Sequence, residues 1–175
     1  MTSSTIASES VRHAIGMLLA ACALVAGCYC SGTRAAELET TDVEYAVTLP
    51  DDIDTVQASL TSALEGRNYM IIGVLNVQSA LKNQGIDAHP LRLVEFIDLP
   101  QAYKVTRSNE GFEMFAPFRA VLSAHDKATR VFVLRPRFIE ATLKPSGLSA
   151  EASTTLEKLD ASLRDVMTSV ANGGF

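Results

Sequence analysis

Three features of the sequence predict an α+β domain with a mainly antiparallel sheet and helices packed on one face. Between residues 43 and 171, segments of period 2 alternate with segments of period 3.6, as strands alternate with helices. The last two strand-like segments are separated only by His125-Asp126-Lys127-Ala128. A connection that short makes a hairpin, and its antiparallel pair excludes a doubly wound parallel sheet. Apolar residues make up 47% of the chain and charged residues 20%, an ordinary globular balance. A domain of about 100 to 130 residues buries about two-thirds of its extended-chain surface, so it needs no metal to fold.

Each element follows in order. Val43 to Leu49 alternates apolar and polar and reads as a strand. Pro50-Asp51-Asp52 supplies a turn and a helix cap. Ile53, Val56, Leu60 and Leu64 recur on one helical face, and Gly66 stops that helix. Tyr69 to Leu75 is a strand apolar on both faces, which predicts a central position in the sheet. Asn76 caps a short helix holding Val77, Ala80 and Leu81, which Gly85 ends.

Leu91 to Ile97 is a third strand, and Asp98 caps a helix over Pro100 to Arg107. Phe118 to Ala124 and Thr129 to Leu134 form the hairpin, and Pro136 ends its second strand. After Pro145-Ser146-Gly147 comes a helix from Ala150 to Ala171. Its apolar stripe is Leu156, Leu159, Leu163, Val166, Met167 and Val170. Asp160 and Arg164 are expected to pair on the other side of it. The predicted order is β-α-β-α-β-α-β-β-α, with no internal repeat.

The first thirty residues read as an address. Ala14 to Gly27 carries no charged side chain, and at 14 residues it is short for a bilayer span. It ends in Val25-Ala26-Gly27-Cys28, which resembles a bacterial lipobox with Cys28 as the lipidated residue. Leu19-Ala20-Ala21-Cys22 also fits, with a shorter apolar region before it. Residues 1–27 are therefore expected to be a lipoprotein signal peptide and residues 28–42 a flexible tether. A coil of that length reaches about 20 Å. Tyr29, rather than Asp, after the Cys favours the outer membrane, facing the periplasm. Loss of Glu9 and Arg12 with the signal leaves the formal net charge of -5 unchanged. That charge gives no basic excess, so nucleic acid is not an expected partner.

From about Tyr45 to Leu143 the chain carries a run of short motifs. They are Tyr69-Met70-Ile71-Ile72, then Asn76-Val77-Gln78-Ser79-Ala80-Leu81-Lys82 and Gly85-Ile86-Asp87. Leu93-Val94-Glu95-Phe96 and Met114-Phe115-Ala116-Pro117-Phe118-Arg119 follow. In order and spacing these resemble the domain of unknown function 302 family. The resemblance implies a domain over residues 43–143, a compact α+β fold, and members able to pair as dimers. It implies no settled activity. Many members carry a Cys shortly after the Glu-Phe pair and another after the Pro, where this chain has Ile97 and Phe118. Any thiol chemistry at that spot is therefore absent here, while an apolar pocket remains open to it. Residues 144–175 are expected to pack on or near the domain.

Candidate sites are few. His89 and His125 read as surface loop residues with no second His or Cys at ligand spacing, so no metal or cofactor is expected. Ser79, Ser123 and Ser146 lie in no nucleophile elbow, and Gly73 and Gly85 stand alone rather than in a phosphate loop. Glu95 shares its strand face with Leu91, Leu93 and Ile97, so it needs a partner, and Arg119 is the natural one. The pair reads either as a structural ion pair or as the polar end of a pocket. Glu95, Ile97, Tyr103, Phe118 and Arg119 are the candidate pocket residues, with Lys104 beside Tyr103. Arg130, Arg135 and Arg137 read as a solvated basic face or an anion contact.

The expected function is that of a non-catalytic, lipid-anchored envelope protein that binds a small ligand or a partner protein. A self-associating lipoprotein, paired through a sheet edge or the C-terminal helix, is the alternative. An enzyme using Glu95 as general acid or base is the third reading.

Overall fold

The computed structural model describes residues 36–173, and Cys22 and Cys28 lie outside them. Among the described residues six strands form one antiparallel sheet. They are β1 (Glu39–Thr40), β2 (Glu44–Leu49), β3 (Met70–Asn76), β4 (Leu91–Ile97), β5 (Phe118–His125) and β6 (Ala128–Leu134). The spatial order is β1-β2-β6-β5-β4-β3. The helices are α1 (Ile53–Glu65), α2 (Val77–Lys82), α3 (Leu99–Thr106), α4 (Pro136–Leu143) and α5 (Ala150–Ala171). Short 3-10 turns occupy Glu110–Met114 and Lys144–Ser146.

The α+β class, the antiparallel sheet and the helical layer agree with the sequence reading. So do the caps. Asp52 accepts from the N–H groups of Asp54 and Thr55, Asn76 from that of Ser79, and Asp98 from that of Gln101. The carboxyl of Asp52 is held below its ordinary range, first by the Thr55 backbone N–H and then by the Thr55 hydroxyl. Gly85, at φ 75, reverses the chain after α2, and the Ile86 N–H closes on the Leu81 carbonyl.

Alternation sorts the sheet into two faces. Tyr45, Val47, Val94, Phe96, Phe118, Ala120, Leu122, Val131 and Val133 point to one face and are buried under the helices. α5 crosses this face against β2 and against α1, α3 and α4. All six residues of its predicted apolar stripe are buried. Ser149 caps α5 by accepting from the Ala152 N–H. Ser149→Ala is expected to cost about 1 kcal/mol of stability, read as a lowered urea midpoint.

Five expectations are corrected. β3 is an edge strand, not a central one. Its apolar run is left uncovered, with Met70, Ile72, Val74 and Leu75 all 44% exposed or more. Asp160 does not turn outward to Arg164. It is buried, because its oxygens bond Arg135, Tyr45 and the Arg137 N–H across the domain. The hairpin is tighter than expected. His125 pairs with Ala128, leaving a two-residue turn in which Asp126 takes φ 53. The expected order lacked a helix after the hairpin: Pro136 ends β6 as expected and also opens α4 from the first helical turn, where its missing N–H is harmless.

Finally, part of the stretch expected as a free tether is ordered against the domain. Glu39–Thr40 pairs with β2, the Ala36 N–H bonds the Ala171 carbonyl, and Leu38 packs on the core.

Candidate functional site

Among the described residues the other face of the sheet is mostly half-buried or exposed, with Ala46 the buried exception. Cross-strand pairing puts Phe132, Val121, Leu93 and Leu75 in one row across β6, β5, β4 and β3. Glu95 of β4 stands opposite Arg119 of β5 on the same face, and Gly73 of β3 lies beside Glu95. The Arg119 Nε donates to Glu95 Oε1 at 2.8 Å. Both side chains reach water, at 60% exposed for Arg119 and 35% for Glu95. The β-register makes this contact: two residues directly opposed across an antiparallel pair are within reach of each other.

The remaining sequence candidates divide between the two sides of the sheet. Ile97 is half-buried on the open face opposite Met70. Phe118 turns inward and packs among Phe96 and Phe112. At its rim, Phe118 and Arg119 line a hollow of about 130 Å³ with Met114, Phe115, Pro117 and Leu134. Tyr103 is exposed on α3. Lys104 lines a separate shallow hollow with Arg107, Ser108, Ser149 and Glu151 in the helix layer. Glu95 and Arg119 therefore meet as expected, while Tyr103 and Lys104 do not join them in one cleft. Because the pair is exposed, Glu95→Gln is expected to change stability by less than about 1 kcal/mol, checked by urea denaturation.

Arg130 and Arg135 are engaged rather than free, while Arg137 is exposed. Arg130 donates to Glu44 at 2.8 Å, also meets Glu39, and lies over the Phe132 ring. The hydrogen bond to Glu44 leads in holding its charge firmly, against the smaller opposing effect of burial. Arg135 is drawn into the buried contact with Asp160 and stacks on Tyr45. Burial pushes the Tyr69 phenol up to about 12, so it stays protonated.

One arrangement was missed at the sequence level. His89 and His125 are not isolated loop residues. Their rings lie 4.2 Å apart between centroids, and Ser123 Oγ sits within 3.1 Å of each Nε2. The signal was available: the register that pairs Glu95 with Arg119, carried six residues along each strand, sets His89 opposite His125. Among the described residues no three His, Cys, Asp or Glu side chains gather to hold a metal ion. None of the described helices is long and apolar enough to cross a membrane.

Comparison with known proteins agrees with the fold. A crystal structure of an uncharacterized conserved DUF302 protein from Bacillus stearothermophilus superposes with a TM-score of 0.63 at 15% sequence identity. The match covers 71% of this chain and 94% of that one, and at such identity it speaks to the fold alone. Among curated proteins no match is found. The family model for the domain of unknown function DUF302 matches residues 45–166, which takes in most of α5 as well as nearly all of β2 to β6. The chain belongs to the DUF302 family.

Proposed function

We propose that this is a bacterial cell-envelope protein, lipid-anchored through Cys28 and held at the outer membrane facing the periplasm. In this reading its domain binds a partner at the open sheet face and catalyses no reaction. The observation that carries the reading is that face: Phe132, Val121, Leu93 and Leu75 in a row, with the Glu95–Arg119 pair alongside. Apolar area supplies affinity, and a fixed pair of opposite charges sets register and rejects wrong partners. A small ligand is the lesser form of the same reading, because ligand sites are usually concave and this surface is a sheet face. The non-catalytic part is supported by where the perturbed acids lie. Asp52, at the rim of a hollow it shares with Asp126 and Lys127, is taken up as a helix cap, and Asp160 is a buried tie.

A second reading has its own observation. Among the described residues β3 is an outermost strand, with Met70, Ile72, Val74 and Leu75 exposed, which suits pairing with another copy of the chain.

Two measurements test the proposal. In a bacterial host, labelled palmitate is expected on the wild-type chain in the membrane fraction and absent from Cys28→Ser. Label that persists in Cys28→Ser would overturn that lipidation site. Native mass spectrometry of the detergent-extracted chain is then expected to show an added mass that Val121→Glu removes. A doubled mass lost in Ile72→Lys would favour self-association instead, and a single bare chain would sink both readings.

A further inference from the structure

Beyond Leu91 and Ser123 the β4 and β5 backbones stay in step, the Ala124 N–H donating to the Pro90 carbonyl. That brings His89 and His125 face to face, both exposed, with ring planes inclined by 31°. Ser123, two residues before His125 and so on the same face, places Oγ 3.1 Å from both Nε2 atoms. A hydroxyl has a single proton, so it can donate to only one of the two rings. At least one ring therefore donates its Nε2–H to this oxygen, and it moves that proton to Nδ1 before Nε2 can take a metal. The strand register thus gathers two ring nitrogens around one hydroxyl oxygen.

The geometry points to a binding site for a divalent transition-metal ion, held by Nε2 of His89 and Nε2 of His125. Neutral imidazole nitrogen is a good ligand for Cu²⁺, Ni²⁺ and Zn²⁺. The usual cost of gathering two ligands from distant chain positions is already met by the β4–β5 ladder. Both rings stand at the sheet surface, so side-chain rotation alone can bring them to metal–nitrogen distances of about 2.0–2.1 Å. Ser123 Oγ is placed to take a third position or to hold a metal-bound water.

With two protein nitrogens the remaining positions are open, which makes the site exchangeable rather than a structural metal centre. Affinity then follows the general order for divalent ions, with Cu²⁺ bound most tightly. The open positions face outward, where a chelating small molecule or a side chain of a bound protein can complete them. The site stands on the cross-strand pair alone and does not depend on lipid anchoring or on the open-face reading.

The test uses the full chain with Cys22, Cys28 and Cys30 changed to Ser and His13 to Gln, so that competing ligands are removed. Copper(II) is titrated in non-chelating buffer and followed by calorimetry and electron paramagnetic resonance. One Cu²⁺ per chain with two nitrogen ligands is expected. His89→Gln and His125→Gln are each expected to weaken binding at least about tenfold and to leave a single-nitrogen signature. Circular dichroism should be unchanged, since both rings are exposed. Copper binding of equal affinity in the double variant, or none in the parent chain, overturns the site.

Discussion

Removing residues 148–175 is expected to leave a chain with no cooperative unfolding transition. α5 supplies Leu156, Leu159, Leu163, Val166, Met167 and Val170, none more than 3% exposed. Burying each such side chain contributes about 1.5–3 kcal/mol, and the six together come to roughly 10 kcal/mol after allowance for a compact unfolded state. A whole domain is stable by only about 5–15 kcal/mol. The deletion would also uncover Val47, Leu60 and Leu64, which are fully buried in the intact domain. Thermal melts by circular dichroism are the direct check. A folded, cooperative product with a changed oligomeric state would show instead that α5 is peripheral. That outcome is what a self-associating C-terminal helix would require.

Asp160→Ala is expected to be the most damaging single substitution described here. Asp160 joins three parts of the domain. Tyr45 Oη of β2 donates to Oδ2 at 2.8 Å. The Arg135 guanidinium, at the end of β6, donates to both oxygens at 3.2 and 3.3 Å, and the Arg137 N–H in α4 donates to Oδ1 at 3.2 Å. Removing the carboxylate leaves the phenol without a partner and a mostly buried guanidinium with only the Thr41 carbonyl to accept from it. Breaking one side of such a pair costs about 3–5 kcal/mol, and the residual exposure of this one puts it at the lower end. Urea denaturation at neutral pH measures it.

The same contact makes a prediction about acid. Burial alone would raise the Asp160 carboxyl. The hydrogen bonds from Arg135, Tyr45 and the Arg137 N–H outweigh it and hold the group below its ordinary value of 3.8. Tyr45 answers in the other direction, its phenol raised first by burial and then by the carboxylate it donates to. An acid that ionises more readily in the folded chain stabilises the fold at pH above its unfolded pKa. That stabilisation is lost as pH falls through the folded value. The wild-type chain is therefore expected to weaken below about pH 4, where Asp160→Asn should show a flatter pH profile. Equal slopes in that range would mean that Asp160 does not contribute to acid lability.

Local chemistry was legible in the residues. α5 was expected over Ala150–Ala171 and is found there, because the Pro145-Ser146-Gly147 break and a continuous apolar stripe mark its start and its buried face. β4 was likewise read at its observed bounds, and the partnership of Glu95 with Arg119 came from its alternation. β3 shows where the reading failed. A strand apolar on both faces looks central, yet among the described residues only one neighbour pairs with it. Which strands stand side by side depends on how the connections cross the sheet, and side-chain periodicity does not contain that information.

What the sequence determined by itself was most of the local elements, three of their caps and the antiparallel class, since each rests on the chemistry of residues near one another in the chain. Only the tertiary structure decided the edge position of β3 and the inward turn of Asp160. It also decided the meeting of His89 with His125 across 36 residues. Those outcomes depend on strand register and helix docking, in which groups distant in sequence compete for the same partners. The ladder between β4 and β5 resolves that competition: one alignment pairs Glu95 with Arg119 and also brings the two imidazoles onto a single serine oxygen.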